Sequence, residues 1–216
     1  MKIIGIIISL FFTFLGFSQK SYDFSIPLPP NENSISTVSS ELYGIYHSIE
    51  GDGYYEFNEF GVWIISTVYS SISKEMVREN AKYTVRNGYI FGVIINDSIP
   101  CVLEEDRYHF GIKNKDLLIG KGSKNSLKKL ADRTYILNFE ENEKYTPTLL
   151  TFVGKKLEVK QFDYDNYTTA FDQFKLFTSN KIGSMEFITI SPNKKEWRKL
   201  DYEQEIFGKT REYIRF

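Results

Sequence analysis

The alternation of hydrophobic and polar residues after Glu41 predicts a domain built almost entirely from β-strands. Short runs rich in Tyr, Phe, Ile and Val are separated by turn residues, which is typical of an all-β protein. The turn signals are Gly51-Asp52-Gly53, Asn58-Glu59-Phe60-Gly61, Asn87-Gly88, Asn96-Asp97, Lys113-Asn114-Lys115-Asp116 and Gly154-Lys155-Lys156. Because these connections are too short for the crossovers of a parallel sheet, we expect antiparallel hairpins curled into a barrel or sandwich.

The strongest turn signal is Asn87-Gly88, because both residue types tolerate the positive φ of a type I′ turn. It joins the predicted strands "KYTVR" and "YIFGVII". The run "VWIISTVYSSI" before them is long enough to be a central, strongly buried strand. Between these strands, Ser73 is placed to cap one or two helical turns.

The C-terminal half mixes strands with one or two short helices. "TYILNF", "TLLTFV" and "LEVKQF" indicate strands, and "KTREYIRF" indicates a last strand that closes the chain. Tyr167, Phe171 and Phe174 fall on one helical face, which predicts an amphipathic helix near 165–177. Ser191 as N-cap and Pro192 at the first helical position predict a second helix.

The first residues have the pattern of a signal peptide. Lys2 is followed by an unbroken apolar run from Ile3 to Leu15, and the small residues Gly16 and Ser18 fit the positions that a signal peptidase recognises. The run is shorter than the roughly 20 residues of a membrane-spanning helix. We therefore expect residues 1–18 to be removed, leaving a secreted or periplasmic protein without an integral membrane segment.

Residues 19–40 differ in composition from the rest of the mature chain. They hold three of the six prolines and many Ser and Asn residues, and their few apolar residues recur with no period. This composition predicts an extended N-terminal arm. Residues 41–216 then form a single β-rich domain.

Charge and cysteine content narrow the classes of function. The formal net charge is −1, which argues against a nucleic-acid surface because phosphate binding depends on clustered Lys and Arg. The basic residues around "NSLKKLAD" are best interpreted as a solvated face. A single cysteine allows no internal disulfide, so the fold depends on packing alone. No cofactor is expected.

The stretch "CVLEEDRYHF" is the densest in reactive side chains. If Glu105-Asp106 forms a two-residue hairpin tip, Cys101 lies opposite Phe110, and Cys101 and His109 point to opposite faces of the sheet. One additional loop residue would return the histidine to the face of the cysteine. Its apolar neighbours favour Cys101 as a buried core residue rather than a nucleophile.

Other candidates for chemistry are weak. His47 shares a strand face with Tyr43, Ile45 and Ile49, which favours a packed histidine over a metal ligand. "DYDNY" lacks the spacing of a calcium loop and "GKGSK" that of a phosphate loop. We therefore expect no metal site. Asn96 and Asn166 begin glycosylation sequons whose use depends on the host.

Aromatic content is the most prominent remaining feature, with 15 Tyr and 18 Phe. Most of these residues are accounted for by core filling and cross-strand pairing. The alternative is a ligand cavity in a small barrel, since such barrels hold one apolar ligand in their mouths. The predicted lining residues of that cavity are Tyr54, Tyr55, Phe57, Trp63 and Tyr69.

"LYGIYHSIEGDGYYEFNEFGVW" resembles the start of secreted bacterial lipocalin-like, or calycin-type, β proteins. In that family a Gly-x-Trp motif in the first strand precedes a strand that ends in an aromatic residue and a glycine turn. Gly44-Ile45-Tyr46 has tyrosine in place of the tryptophan, and the resemblance covers residues 42–120. More than eight candidate strands follow Glu41, and no ligand residues of the family are carried over.

These observations predict a secreted, non-enzymatic β-domain that binds a small apolar ligand or an envelope partner through an aromatic-lined face. The sequence shows no complete catalytic constellation, so no catalytic residue is assigned. Two alternatives remain open. One is a structural or adhesion module whose Pro-rich arm, residues 19–40, positions it in a cell-envelope assembly. The other is a hydrolase whose carboxylates cannot be paired from sequence.

Overall fold

A computed structural model of the protein describes residues 19–51, 53–163, 174, 177–199 and 206–216. The mainly β architecture expected from the alternation pattern is confirmed, with 16 strands in one sheet and two short α-helices in these residues. All strand pairs are antiparallel except one. Within these residues the sheet does not close on itself, which fits an open barrel or a sandwich, and we call the part of it around the largest core the barrel.

The first eight strands are β1 (Gln19–Phe24), β2 (Ser34–Ile35), β3 (Gly44–Ser48), β4 (Tyr54–Asn58), β5 (Gly61–Ser73), β6 (Thr84–Arg86), β7 (Tyr89–Phe91) and β8 (Ser98–Glu104). The remaining strands are β9 (Arg107–Ile119), β10 (Ser126–Ala131), β11 (Thr134–Glu141), β12 (Lys144–Val153), β13 (Lys156–Phe162), β14 (Phe177–Ile182), β15 (Met185–Ile190) and β16 (Phe207–Arg215). The helical segments are a 3₁₀ turn at Ser40–Leu42, α1 (Lys74–Glu79) and α2 (Lys194–Trp197).

The last strand joins the two halves of the sheet. The strand order is β14-β15-β1-β12-β13-β16-β3-β4-β5-β9-β8-β7-β6, with β11, β10 and β2 branching from β12. β16 is antiparallel to both neighbours, so that Tyr213 lies opposite Leu157 on one side and Ser48 on the other. The C-terminal strand predicted from sequence therefore exists and completes the barrel wall.

The barrel core is filled by large side chains from nine strands and the segment before β3. Tyr46, Phe57 and Phe152 are at most 3% exposed, and their ring centroids lie 5.2 to 5.5 Å apart in edge-to-face contacts. Such contacts contribute beyond the area that they bury. The buried members of this core are Val38, Leu42, Tyr46, Tyr55, Phe57, Val62, Leu118, Ile119, Leu127, Tyr135, Leu137, Leu150, Phe152, Leu157, Val159 and Tyr213.

The N-terminal segment 19–40 is not an extended arm, so this prediction was wrong. β1 runs parallel to β15 over its whole length, and β2 pairs with β10. Phe24 and Leu28 are fully buried, and Val38 is 4% exposed. The apolar residues show no period because the segment crosses from one core to another, rather than burying one face of a single element.

Two buried polar side chains hold this segment in place. Asn138 accepts a hydrogen bond from the Leu28 N–H at 2.7 Å and donates one to the Leu28 carbonyl at 2.8 Å. Lys128 donates to the carbonyls of Pro27 and Pro29 at 2.7 and 3.0 Å. Burial lowers the pKa of Lys128. The two side chains thus form the hydrogen bonds that a neighbouring strand would otherwise form with the backbone of residues 27–29.

A second core lies beside the first and includes Phe24, Phe174 and Trp197. The amphipathic helix predicted near 165–177 falls almost wholly outside the described residues, although Phe174 is buried in this core and Phe177 begins β14. The second predicted helix exists as α2, and it begins two residues later than expected.

Asn193, not Ser191, caps α2, and the expected cap was therefore wrong. The Asn193 side chain accepts hydrogen bonds from the N–H groups of Lys195 and Glu196 at 2.9 and 3.1 Å. The hydroxyl of Ser191 is instead 2.7 Å from that of Ser25, in a hydrogen bond that attaches the N-terminal segment.

The long strands β5 and β9 extend beyond the barrel and form a small lobe. Their outer halves pack with β8, β7, β6 and α1 around a third core of Ile72, Ile90, Ile99 and Phe110. Positive φ angles of 53° and 78° at Asn87 and Gly88 confirm the turn predicted there.

The predicted helix cap at the end of β5 is also confirmed, because Ser73 accepts a hydrogen bond from the Met76 N–H at 3.1 Å. The expected burial of β5 holds only within the barrel, where Val62 and Ile65 are buried. In the lobe, Val68 and Tyr69 are 49% and 69% exposed, since that half lies outside the barrel.

Candidate functional site

Two of the five aromatic residues predicted to line a cavity belong to the barrel core. Tyr55 lies opposite Ile64 and Phe57 opposite Val62, on the inner face of the sheet. Tyr55 is 5% exposed and its ring meets that of Tyr213 at 5.0 Å, edge to face. Burial, with a smaller effect of Tyr213, raises the pKa of the Tyr55 phenol. These side chains fill the space that a ligand would need.

The other three, Tyr54, Trp63 and Tyr69, lie on the outer face, because neighbouring residues of a strand point to opposite sides. The Lys115 ammonium lies 5.2 Å from the Trp63 ring centroid and 2.6 Å from a Glu56 carboxylate oxygen. Tyr69 is the most exposed of the three. The five residues thus divide between two faces, and no single cavity collects them.

The hairpin that carries Cys101 has the two-residue register considered from sequence. Cys101 lies opposite Phe110, and Val102 lies opposite His109, so thiol and imidazole point to opposite faces. Cys101 is half-buried rather than buried, because it lies at the margin of the small lobe core. The same partial burial raises the pKa of its thiol.

His47 is also more exposed than expected. Its ring lies on the outer face of β3, with centroids 5.1 Å from Tyr54 and 5.6 Å from Phe216. Ile45 and Ile49, on the same face, are 44% and 55% exposed. The alternation correctly grouped these residues, but within the described chain this face is not covered by a second layer.

The outer face of the lobe carries a row of residues that crosses four strands. Tyr69 lies opposite Gly111, and Tyr89 lies opposite Pro100. The neighbouring pair of Cys101 and Phe110 places Pro100 beside Gly111. Three strand spacings separate the two tyrosines, which corresponds to about 14 Å.

Glycine at position 111 lets two neighbouring side chains pack against the sheet. A Cβ on Gly111 would lie 2.7 Å from Thr67 Cγ2 and 3.5 Å from the Tyr69 ring, so only glycine leaves the two side chains undisturbed. Tyr69 and Tyr89 are 69% and 44% exposed. The exposed residues of this face, which we call the lobe platform, are Tyr69, Tyr89, Phe91, Pro100, Val102 and His109.

Cationic side chains stand at the margins of the lobe platform. Arg86 lies opposite Tyr89, and Lys113 lies opposite Thr67. Both are exposed, and neither forms an ion pair within the described residues. Arg107 donates to the Ser71 hydroxyl at 2.8 Å, which holds its guanidinium against the sheet.

Sequence reasoning did not place Arg86, Tyr89 and Lys113 on the same face of the sheet as Tyr69. The alternation assigns each residue to one face of its own strand. Relating those faces requires the register between β5, β9, β8 and β7, and only the turns at 87–88 and 105–106 were recognised as fixing part of it.

Across the described ranges, no three His, Cys, Asp or Glu side chains gather closely enough to hold a metal ion. In those same ranges no helix is both long and apolar enough to span a bilayer. Comparison of the chain with protein-family models, with curated proteins and with solved structures found no match in any of the three.

Proposed function

We propose that the protein is an exported, non-enzymatic binding module that contacts an envelope partner through the lobe platform. The observation that carries this proposal is the division of the aromatic residues between two faces. Those on the inner face are packed against one another, whereas Tyr69 and Tyr89 are exposed on the same face of the lobe. Contiguous exposed apolar surface in a globular domain is characteristic of an interaction site.

The packing of the barrel core favours a partner at the surface over a small apolar ligand in the interior. Tyr46, Phe57 and Phe152 occupy the centre of the barrel, where a ligand of a small barrel would bind. A ligand there would have to displace three mutually packed rings. The platform requires no such rearrangement.

The rival hypothesis of a structural module loses one of its supports. It relied on residues 19–40 as an arm that positions the domain in a larger assembly. These residues are part of the sheet, with β1 on β15 and β2 on β10. The surface left to engage a partner is therefore on the folded body.

A comparison of three proteins purified from the producing cell tests the proposal: wild type, the double variant Tyr69→Ser/Tyr89→Ser, and Phe60→Ser. Phe60 is 72% exposed in the turn between β4 and β5, which makes it a matched control. Each is analysed by native mass spectrometry, with extracted lipids measured in parallel. We expect a partner at constant stoichiometry on wild type and on Phe60→Ser, and its loss from the double variant.

Two results would contradict the proposal. One is a partner that stays bound to the double variant, and the other is a small molecule bound equally to all three proteins. Turnover of an ester or glycan panel by the purified chain would instead favour the hydrolase alternative.

A further inference from the structure

We propose that the partner of the lobe platform is an acidic polysaccharide that lies across the strands between Lys113 and Arg86. This inference rests on the proposed function, because it names the chemistry of the partner that the same platform binds. Three features support it: the charge at the margins, the order of cations and exposed rings along the row, and the exposed and polar residues between the rings.

The charge of the platform favours an anionic partner. Arg86, Arg107 and Lys113 are exposed on this face. Glu104 lies opposite Arg107, and Glu105 and Asp106 form the adjoining turn, where Asp106 pairs with Lys74 at 3.5 Å. Arg86 and Lys113 lie away from this turn, opposite Tyr89 and Thr67, so the positive charge at those two margins is not offset by a carboxylate across the strand. Complementary charge at a surface steers association and selects the partner.

The arrangement of the cations sets the direction of the bound chain. Arg86 extends the row beyond Tyr89, and Lys113 lies two residues along β9 from Gly111, beside Tyr69. Cations thus stand near both ends of the row and aromatic rings stand between them. A polymer with repeated carboxylates and intervening rings matches this order.

The surface between the tyrosines suits sugar rings. The Tyr69 ring lies against Gly111, Pro100 is exposed beside it, and Thr67 and Ser71 lie along the same face of β5. A sugar presents an apolar C–H face that stacks on an exposed tyrosine, and hydroxyls that bond to polar neighbours. Shallow contact over a long surface suits a chain that lies flat rather than one that inserts a side chain.

Two other anionic partners fit less well. An acidic peptide that adds a strand needs a free backbone edge, such as that of β6 at this end of the sheet, whereas the platform residues lie on the faces of β5, β9, β8 and β7, strands that each pair with two neighbours. A nucleic acid needs many phosphate contacts, and three cations offer few. Both become outcomes of the test below.

Native gel electrophoresis tests this inference by measuring how strongly each polysaccharide retards the protein. The full exported chain is run through gels that contain polygalacturonate, alginate or neutral dextran, and its affinity for a single-stranded DNA oligonucleotide and for acidic peptides is measured separately. We expect retardation by the two acidic polysaccharides and not by dextran, decreasing as salt is added because salt screens exposed charges.

Four variants resolve the contributions of rings and charges. Tyr69→Ser/Tyr89→Ser should weaken binding at least about tenfold, equivalent to a modest loss of contact energy. Arg86→Gln/Lys113→Gln should weaken binding and flatten its salt dependence. Phe60→Ser and Lys129→Gln change exposed residues outside the platform and should bind as wild type does. Thermal unfolding of each variant verifies that it is folded.

The inference is overturned if neither acidic polysaccharide retards the wild type, if dextran retards it equally, or if the platform variants bind as strongly as the controls. Tighter binding of the oligonucleotide or of the peptides also overturns it. If polysaccharide binding fails but Tyr69→Ser/Tyr89→Ser still loses its partner from the producing cell, only the chemical assignment falls and the proposed function stands.

Discussion

Asn138 is a single residue that holds the N-terminal segment 19–40 against the sheet. It is fully buried and supplies both a donor and an acceptor to Leu28, as a neighbouring strand would. Neither its type nor its position in an otherwise apolar strand indicates that role, because the segment that it binds is 110 residues away in sequence. Local sequence patterns therefore do not predict such contacts.

We predict that Asn138→Ala lowers the free energy of unfolding by about 2–4 kcal/mol, because it leaves the backbone groups of Leu28 buried without partners. Urea unfolding followed by fluorescence measures the loss. Asn114→Ala, in an exposed position of β9, is the matched control and should change stability by less than about 0.5 kcal/mol. Equal effects of the two substitutions would show that the Leu28 contact does not anchor the segment.

The buried phenol of Tyr55 should make the folded protein less stable at alkaline pH. Burial raises the pKa of the Tyr55 phenol in the folded chain, whereas in the unfolded chain this pKa is about 10. Above about pH 10 the unfolded chain therefore loses this proton while the folded chain keeps it, and the free energy of unfolding falls as pH rises. Tyr55→Phe should therefore make the fall of unfolding free energy with pH less steep above about pH 10. The decrease should correspond to at most one fewer proton released on unfolding. Burial also raises the pKa of Tyr46 and Tyr213, so part of the slope should remain.

Chemical denaturation in steps across this pH range measures the slope for wild type and Tyr55→Phe. Tyr69→Phe, on the exposed platform, serves as the control for removal of a phenol. An identical slope for wild type and Tyr55→Phe would refute the assignment.

At the scale of elements, local turns were predictable and distant strand partners were not. The hairpins at Asn87-Gly88 and Glu105-Asp106 have the registers expected, because two residues fix each of them. Nothing local indicates that β1 pairs with β15 or that β16 lies between β13 and β3. These pairings depend on which faces the cores bury, and that is a property of the assembled sheet.

The same limit applies to the candidate site. Alternation places Tyr54 and Tyr55 on opposite faces, but it does not say which face is covered. Once the barrel is formed, Tyr55 becomes core and Tyr54 stays outside. Tyr69 and Tyr89 lie on the first and last of four neighbouring strands, β5, β9, β8 and β7, whose order along the sheet was not fixed by the turns alone.

The end of β16 is attached to the start of β3 by Arg215. Its guanidinium donates to the carbonyls of Glu41 and Tyr43 at 3.1 and 2.9 Å and lies 5.6 Å from the Tyr46 ring centroid. Gly44 makes room for it, since a Cβ there would lie 2.6 Å from Arg215 Cδ.

We predict that Arg215→Gln lowers the unfolding free energy by about 1–3 kcal/mol, because charge-assisted hydrogen bonds and a cation–π contact are lost. Gly44→Ala should also destabilise the chain, because it crowds the same side chain. Urea unfolding measures both variants. Arg211→Gln, exposed on the same strand, is the control, and a comparable loss there would mean that the effect is one of charge alone.

At the scale of the whole molecule, the domain boundary expected at residue 41 divides a folded body. We predict that a chain beginning at Glu41 does not form a rigid native state, because it lacks Phe24, Leu28 and Val38. Each of these buried side chains is of a type whose loss costs about 2–5 kcal/mol, a large part of the stability of most domains. A chain beginning at Gln19 should fold normally.

Near-ultraviolet circular dichroism and binding of a hydrophobic dye distinguish the two chains. The shorter chain should lose its near-ultraviolet signal and bind the dye. A native spectrum for it would restore the interpretation of residues 19–40 as an arm.

The position of β16 between β13 and β3 has a consequence for the time course of folding. Because this strand begins at Phe207, a polypeptide that emerges from its N-terminus presents β3 and β13 with one unpaired edge each until residues 207–215 have been made. Sequence-distant pairings of this kind slow folding. The two halves of the sheet therefore stay unjoined until β16 is available, and until then the edges of β3 and β13 are sites at which another protein, such as a chaperone, could bind.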